Sequence, residues 1–331
     1  MNSPNRSQLR YPTRREVLAL GIGAFVVAAV PFARSRRRLI RRSVPMMGTV
    51  AEIGVVHRDP TYAHAAIDAA LEELELVNRL MTRFSQTSDI GRANRLATTN
   101  GVRVSPATAA VLRDALEWAV SSEGAFDPCL GKAVRLWDVG QRSTPPGAHR
   151  FRRLAGRRLY RSLDLDTGSG QATVRFTDPD VELDLGGIAK GYGVDRAVQT
   201  LRAWGINHGL VNVGGDLYAL GESQDGDPWK VGIRSPRDPG RLSGSVEVRD
   251  AAVATSGDYL QYFRYQGRQY HHLLDPTTGA PRRSPVHGVT VTASSCMTAD
   301  AAATAVFGMA HRDAERVLRN RAPDAGIVST I

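Results

Sequence analysis

Cysteine is nearly absent from this sequence, which has only Cys129 and Cys296 among 331 residues. The two lie far apart along the chain, and neither belongs to a CxxC motif or to a cluster of cysteines and histidines. This scarcity argues against a structural zinc site and against covalent haem attachment. A disulfide between the two is conceivable in an oxidising compartment, but we expect two buried free thiols.

Positive charge is scarce outside the first 42 residues. The formal net charge is +10, but residues 1–42 hold ten arginines and one acid, Glu16, and so account for nine of these charges. The rest of the chain is nearly neutral. Because a nucleic-acid-binding surface needs basic residues clustered on the folded body, we predict no nucleic-acid partner.

Long apolar runs are missing as well. The run from Val17 to Phe32 has 16 residues and is broken by glycines and a proline, whereas a membrane-spanning helix needs about 20. Arg14-Arg15 directly precedes this run, a pattern typical of a twin-arginine export signal, and no cysteine follows it that could carry a lipoprotein anchor. We predict that residues 1–42 are this signal with a basic flank. The segment is either cleaved or retained as an anchor, with membrane association through residues 17–33, and the protein lies in the periplasm or at the outer face of the cytoplasmic membrane.

The remaining chain, residues 43–331, has the composition of a globular protein. The sequence is 42% hydrophobic and 23% charged, which is enough to form a core in one large domain or two lobes. Apolar residues have helical spacing from Ala63 to Arg83, and Ser105-Pro106 is typical of a helix start. Strand patterns dominate after Ala172, with helical stretches at Ile188–Trp204 and Thr298–Met309. Because strands and helices do not alternate regularly, we predict an α+β fold of mixed sheets with packed helices.

The stretch VELDLGGIAKGYGVD, residues 181–195, predicts a strand, a glycine turn and a helix. The free N–H groups of a helix N-terminus attract anions such as phosphate, and Lys190 adds a positive charge in the first turn. Asp184, at the end of the predicted strand, could bind a ligand hydroxyl or orient a metal. A glycine pair before a helix can also be plain chain geometry, and this motif alone leaves both interpretations open.

Further motifs place polar residues at the ends of predicted elements. They are Gly214-Gly215-Asp216, Thr255-Ser256-Gly257, the HHLLDPTTG stretch and the MTADAAATAVF stretch. In the last of these, Asp300 and Thr304 are four residues apart and therefore share one helix face. A carboxylate and a hydroxyl are hard oxygen ligands that suit Mg²⁺. Alternatively, Asp300 is only a helix-start carboxylate facing the helix dipole.

Taken together, these motifs resemble those of the ApbE-type FAD:protein FMN transferases. The resemblance covers nearly all of residues 43–331 and follows the family's order: Met47-Gly48-Thr49, MTRFSQTSDIGRAN, GAFDPCLGKAVRLW, LDLGGIAKGYGVD, LVNVGGD, ATSGDY, HHLLDPTTG and ADAAATA. It implies a T-fold-like single large domain of two lobes. It also implies that FAD is the substrate, that Mg²⁺ is the cofactor, and that FMN passes to a Thr or Ser hydroxyl of a target flavoprotein with release of AMP.

The resemblance also implies site residues. The flavin contacts would be Met47, Phe84, Ala125, Phe126, Asp127, Asp184, Lys190 and Leu274, and the Mg²⁺ ligands would be the carbonyl of Gly187 with the side chains of Asp300 and Thr304. The family commonly has tyrosine at the position of Phe84. Stacking on a ring survives that change because it needs only the aromatic face, whereas a hydrogen bond from a phenol does not.

The chemistry requires a base, because an alcohol must lose its proton as it attacks phosphorus. We predict His272 as this base and Asp275, three residues later, as its catalytic neighbour. The alternatives are that His271 faces the phosphate, or that neither histidine does and both only pack at a strand end.

The acceptor that the resemblance implies is an FMN-binding domain of a membrane-associated redox protein. Two other functions stay open: a Mg²⁺-dependent FAD pyrophosphatase, in which water replaces the acceptor, and a periplasmic FAD-binding protein without turnover. Release of AMP distinguishes the last of these from the two enzymes.

Overall fold

The computed structural model describes residues 25–27, 37–168, 170–238 and 240–331. Most of the predicted export signal therefore lies outside the described residues. Strand β1 (Phe25–Val27) is described and pairs antiparallel with β9 (Trp229–Arg234). Strand β2 (Arg38–Met46) contains the last residues of the predicted basic flank and pairs with the next strand, β3 (Thr49–His57).

A seven-stranded sheet forms the centre of the molecule, in the order β17-β16-β11-β8-β7-β3-β2, and every neighbouring pair is antiparallel. Its strands are β2 (Arg38–Met46), β3 (Thr49–His57), β7 (Gly209–Val213), β8 (Asp216–Leu220), β11 (Ala251–Gly257), β16 (Gly288–Ala293) and β17 (Gly326–Thr330). The inner strands are almost wholly buried, as expected for a sheet that is covered on both faces.

Helices pack on this sheet. Helices α1 (Pro60–Met81), α6 (Ala189–Ala203) and α7 (Cys296–Val306) each contact the sheet, α6 contacts both α1 and α7, and α8 (His311–Arg321) packs beside α7. A second, smaller core joins the central sheet to the three-stranded sheet of β1, β9 and β10 (Leu242–Val248). Helices α6 and α7 therefore pack against each other with their apolar residues in the main hydrophobic core.

The segment between α1 and α6 forms a second group of helices and strands outside the central sheet. It contains α2 (Asp89–Leu96), α3 (Pro106–Ser121), α4 (Gly131–Trp137), α5 (Ala148–Arg152), a 3₁₀ turn (Leu159–Ser162), and a small sheet of β4 (Val102–Arg103), β5 (Leu163–Asp166) and β6 (Thr173–Phe176). Two hairpins follow β11: β12 (Tyr262–Tyr265) with β13 (Arg268–His271), and β14 (Leu274–Asp275) with β15 (Ala280–Pro281).

The predicted α+β fold is confirmed, with boundary shifts of a few residues in the helices. The predicted cap at Ser105 is present, since its hydroxyl accepts the Thr108 N–H. Both cysteines are buried and free, as predicted. Among the described residues, no helix is both long and apolar enough to cross a membrane.

The predicted strand at Val181–Leu185 is wrong. Only an isolated bridge between Glu182 and Leu130 forms there. The segment is extended but is fixed by side chains and loops: Asn94 bonds both backbone groups of Leu183, and the Pro128 carbonyl accepts the Asp184 N–H. These partners come from distant parts of the chain, which the local apolar pattern does not reveal.

Candidate functional site

The glycine turn before α6 packs directly against α7. A side chain at Gly187 would put its Cβ 3.1 Å from the Thr304 hydroxyl oxygen and 3.3 Å from the Phe126 ring. Glycine therefore allows the backbone here to approach both residues. Gly187, Phe126 and Thr304, which were predicted as site residues from three separate motifs, lie together.

Lys190, in the first turn of α6, lies between two buried carboxylates. Its Nζ is 2.5 Å from Asp216 Oδ2 and 3.2 Å from Asp300 Oδ2, and the Gly191 N–H donates to the same Asp300 oxygen at 3.1 Å. Burial alone would lower the pKa of Lys190, but the two negative charges outweigh it and raise this pKa above its usual value. The ammonium group stays charged at neutral pH.

Asp216 is a site residue that received no role from the sequence. It begins β8, and burial together with the nearby Asp300 raises its pKa to about 7 despite the opposing charge of Lys190. The signal was present in the Gly214-Gly215-Asp216 corner. Its spatial partner could not be read there, because Lys190 and Asp300 lie on two other elements.

The donor set around Asp300 suits a hard cation. Asp300 and Thr304 share one face of α7, and Thr304 Oγ1 lies 3.3 Å from Ser256 Oγ on β11. Among the described residues no three His, Cys, Asp or Glu side chains converge as a metal cluster. A metal here would be bound by one carboxylate, one hydroxyl oxygen and one backbone carbonyl. Mg²⁺ prefers such oxygen ligands and usually keeps several bound waters besides.

The predicted flavin-contact segment at residues 125–127 is rigid. The carboxylate of Asp127 accepts the N–H groups of Cys129 at 2.9 Å and Tyr160 at 3.3 Å, and Arg282 donates to the Ala125 carbonyl at 3.0 Å. Burial raises the pKa of Asp127 to about 6, although these N–H groups oppose the shift. Asp127 thus holds a tight turn beside the Phe126 ring.

Other predicted flavin contacts lie at the edges of this region. Asp184 binds Arg83 Nε at 2.8 Å, and the Arg83 guanidinium covers the Phe84 ring at 4.4 Å from its centroid. Phe84 is 80% exposed, so its ring is open to stacking with a planar ligand. Met47 lies in the β2–β3 turn, with its sulfur 3.8 Å from where a Cβ on Gly193 of α6 would stand.

The two adjacent histidines have different surroundings. His271 is buried, with Nε2 2.8 Å from the Arg282 carbonyl and its ring edge-on to Phe307. His272 is half-buried, and its Nδ1 lies 3.3 Å from the Gln261 carbonyl. A carbonyl can only accept, so Nδ1 carries the proton and Nε2 keeps a lone pair. Burial, with smaller effects from His271 and Lys190, lowers the pKa of His272 to about 4.

The structure places Leu274 and Asp275 on the short hairpin after His272. Leu274 pairs with Pro281, and Asp275 Oδ1 accepts the Thr277 N–H at 2.8 Å and the Thr277 hydroxyl at 2.6 Å. These bonds tie Asp275 into its own turn, and no described hydrogen bond joins it to His272. The catalytic role of Asp275 stays a prediction, as does the flavin contact of Leu274.

Comparison with known proteins identifies the family of this chain. Residues 47–328 match the model of the ApbE family. The FAD:protein FMN transferase of Vibrio cholerae is 34% identical over 297 residues, covering 88% of each chain. That of Treponema pallidum is 34% identical over 301 residues, covering 86% of this chain and 83% of its own.

Solved structures are similar over the same range. The flavin transferase ApbE from Vibrio cholerae has a TM-score of 0.74 at 32% identity and covers 86% of this chain and 91% of its own. The ApbE protein from Thermotoga maritima has a TM-score of 0.77 at 30% identity, covering 88% and 94%. The predicted resemblance, fold class and transferase class agree with these relatives, and the chain belongs to the ApbE family.

Proposed function

We propose that this protein is a Mg²⁺-dependent FAD:protein FMN transferase, which moves the FMN half of FAD onto a Thr or Ser hydroxyl of a target flavoprotein and releases AMP. The observation that carries the proposal is the cluster of Lys190, Asp216 and Asp300, which adjoins Gly187 and Thr304. A protein that merely stored flavin would not need paired carboxylates and hydroxyl oxygens at this point.

The reaction breaks one phosphoanhydride bond and forms one phosphoester. The acceptor oxygen attacks the phosphorus of the FMN half, the bond from that phosphorus to the bridging oxygen breaks, and AMP leaves with the bond's electron pair. Nε2 of His272 is the proposed acceptor of the hydroxyl proton. Bound Mg²⁺, held by the Gly187 carbonyl, Asp300 and Thr304, would supply neutralisation of charge on the phosphate oxygens.

The chain's own residues supply the other requirements. Lys190 adds a second positive charge, and its partner Asp216 holds the ammonium group in place. The rigid turn at Asp127 fixes Phe126 beside Gly187, while Phe84 offers an open aromatic face. These contacts would orient the two ends of FAD so that the reacting phosphorus lies between Lys190 and His272.

Acceptor and location are part of the same proposal. We propose that the acceptor is an FMN-binding domain of a membrane-associated redox protein and that the enzyme reaches it after twin-arginine export. The Arg14-Arg15 pair and the apolar run that follows support export.

The test is mass spectrometry of a candidate FMN-binding domain incubated with the protein, FAD and Mg²⁺, with AMP and free FMN quantified in the same mixture. We expect an acceptor mass gain of one FMN less water, matched by AMP. AMP with free FMN and no adduct would instead indicate a pyrophosphatase, and no AMP would indicate a flavin-binding protein.

Two variants make the test specific. Asp300→Ala should abolish AMP release while FAD binding falls only partly, because the proposed flavin contacts at Phe84 and residues 125–127 do not involve Asp300. Asp324→Ala, which removes a carboxylate bonded to Ser294 just before α7, should behave as wild type. Normal turnover of Asp300→Ala with Mg²⁺ would show that the metal assignment is wrong.

A further inference from the structure

Asp195 of α6 caps a helix other than its own. Its Oδ1 accepts the N–H of Cys296 at 2.7 Å, and its Oδ2 accepts the N–H of Met297 at 2.9 Å. The next N–H of α7, from Thr298, is accepted by Ser295 Oγ at 3.2 Å. The first N–H groups of a helix have no partner within it, so α7 obtains two of its three capping bonds from a residue about 100 positions earlier.

Gly191 forms a second contact between the same two helices, one turn before Asp195. A Cβ at this position would lie 2.3 Å from the Cys296 carbonyl oxygen and 2.8 Å from Met297 Cα. No other residue type fits this spacing without displacing α7. The Gly191 N–H also donates to Asp300, so α6 contacts both the first and the second turn of α7.

The contacts at the start of α7 determine where the helix holds the proposed metal ligands Asp300 and Thr304. Cys296, Asp300 and Thr304 follow each other at intervals of four residues and therefore lie along one face. Fixing the backbone at Cys296 fixes how this face is rotated and how far it is shifted along α6. The same α6 carries Lys190, and the turn before it carries Gly187, so one junction sets the relative positions of both ligand groups.

We infer that Asp195 is a positioning residue for the metal site, because its carboxylate seats the first turn of α7 on α6 and so aligns Asp300 and Thr304 with the Gly187 carbonyl. Asp195 does not touch the metal or the substrate in this role. The inference rests on the proposed function, since it concerns the site that would hold Mg²⁺.

The test measures Mg²⁺ binding directly, by calorimetric titration of the full chain, and needs no acceptor. Groups that orient metal ligands typically contribute 10- to 100-fold in affinity, so we expect Asp195→Ala to weaken Mg²⁺ binding by about that factor. Asp195→Asn keeps one acceptor oxygen and should fall between Asp195→Ala and wild type. The Mg²⁺ affinity of the folded protein is a readout that a loss of bulk stability alone would not change.

Asp324→Ala is the matched control. Asp324 Oδ2 accepts the N–H of Ser294 at 3.0 Å, at the same end of α7, but no described bond joins it to α6. We expect its Mg²⁺ affinity to equal that of wild type within about twofold, even where its unfolding temperature falls as much as that of Asp195→Ala.

The outcomes separate this inference from the proposed function. Wild-type affinity in Asp195→Ala, or an equal loss in Asp324→Ala, would overturn the positioning role and leave the transferase proposal intact. Absence of Mg²⁺ binding in the wild-type protein, both alone and with FAD, would overturn the metal assignment and this inference with it. Asp195→Asn preserves the side chain's shape and keeps the test valid if Asp195→Ala does not fold.

Discussion

His272 differs from His271 in exposure: it is half-buried and no described partner binds its Nε2, whereas the unpartnered Nδ1 of His271 is buried. We expect His272→Ala to keep FAD and Mg²⁺ binding but to slow transfer by about 10²- to 10⁴-fold, the usual contribution of a general base. FMN incorporation into the acceptor measures the rate, and FAD fluorescence quenching measures binding. An unchanged rate would remove His272 as the base.

The lowered pKa of His272 predicts an unusual pH profile. A histidine in water titrates near 6.5, whereas burial lowers this pKa to about 4. The base form is the neutral ring, so transfer should be lost as pH falls through about 4 and not near 6.5. The dependence of kcat/KM on pH reports the free enzyme. Because the pKa of Asp216 is itself about 7, an acid limb centred near 6.5 would contradict this assignment only if it persists in Asp216→Asn.

Asp127 predicts how stability changes with pH. Its pKa rises from 3.8 to about 6 on burial, so between those values the folded protein binds more protons than the unfolded chain. The contribution of Asp127 to the free energy of unfolding is therefore fully present at low pH and is lost as pH rises from about 4 to about 6. Relative to Asp127→Asn, the wild type should lose on the order of 2 kcal/mol between pH 4 and 7. Urea unfolding at both pH values tests this, and a pH-independent difference would contradict it.

At the scale of elements, the close contact of α6 and α7 makes Gly191 intolerant of substitution. A Cβ there would overlap the Cys296 carbonyl, so Gly191→Ala should destabilise the protein by about 1 to 3 kcal/mol despite alanine's better helix propensity. Gly140→Ala is the control, because nothing lies within 4 Å of its Cβ position. Thermal unfolding of both variants tests this prediction. Equal melting temperatures would show that α6 and α7 can move apart without loss of stability.

The sequence predicted elements well where their determinants are local. Helix α3 was predicted from Ser105-Pro106, and α6 was predicted to within a residue at each end, because caps and apolar spacing act over a few positions. The same reasoning failed for the segment at Val181–Leu185. Its alternating apolar and acidic residues predicted a strand, but its backbone bonds to Asn94 and Pro128 and does not pair in a sheet.

At the scale of the whole molecule, the distribution of charge and apolar residues separates the first 42 residues from the rest. If Arg14-Arg15 directs twin-arginine export, replacing both with lysine should keep the protein in the cytoplasm while its folding and activity stay unchanged. Cell fractionation with immunoblotting measures this. Unaltered export of the double variant would show that another route carries the protein.

The assembled site was predictable only in part. The proposed metal roles of Gly187, Asp300 and Thr304 were inferred from family resemblance, and the fold places Thr304 against Gly187 and on the same helix as Asp300. The ion pair of Lys190 with Asp216 was not predictable, because antiparallel pairing of β7 and β8 brings the second glycine corner to α6. The capping of α7 by Asp195 was missed for the same reason, since a helix cap is normally sought in the residues just before the helix.

The buried thiol of Cys296 can be used as a chemical probe for movement of the first turn of α7. This cysteine is the first residue of the helix that carries Asp300 and Thr304, and it is fully buried against α6. An alkylating reagent can reach it only while that helix end is open, so in a Cys129→Ser background the labelling rate reports the fraction of time for which the junction is open, provided that reclosing is faster than alkylation. Alkylation of Cys296 therefore measures the opening of the proposed metal site, and the measurement needs no flavin, metal or acceptor.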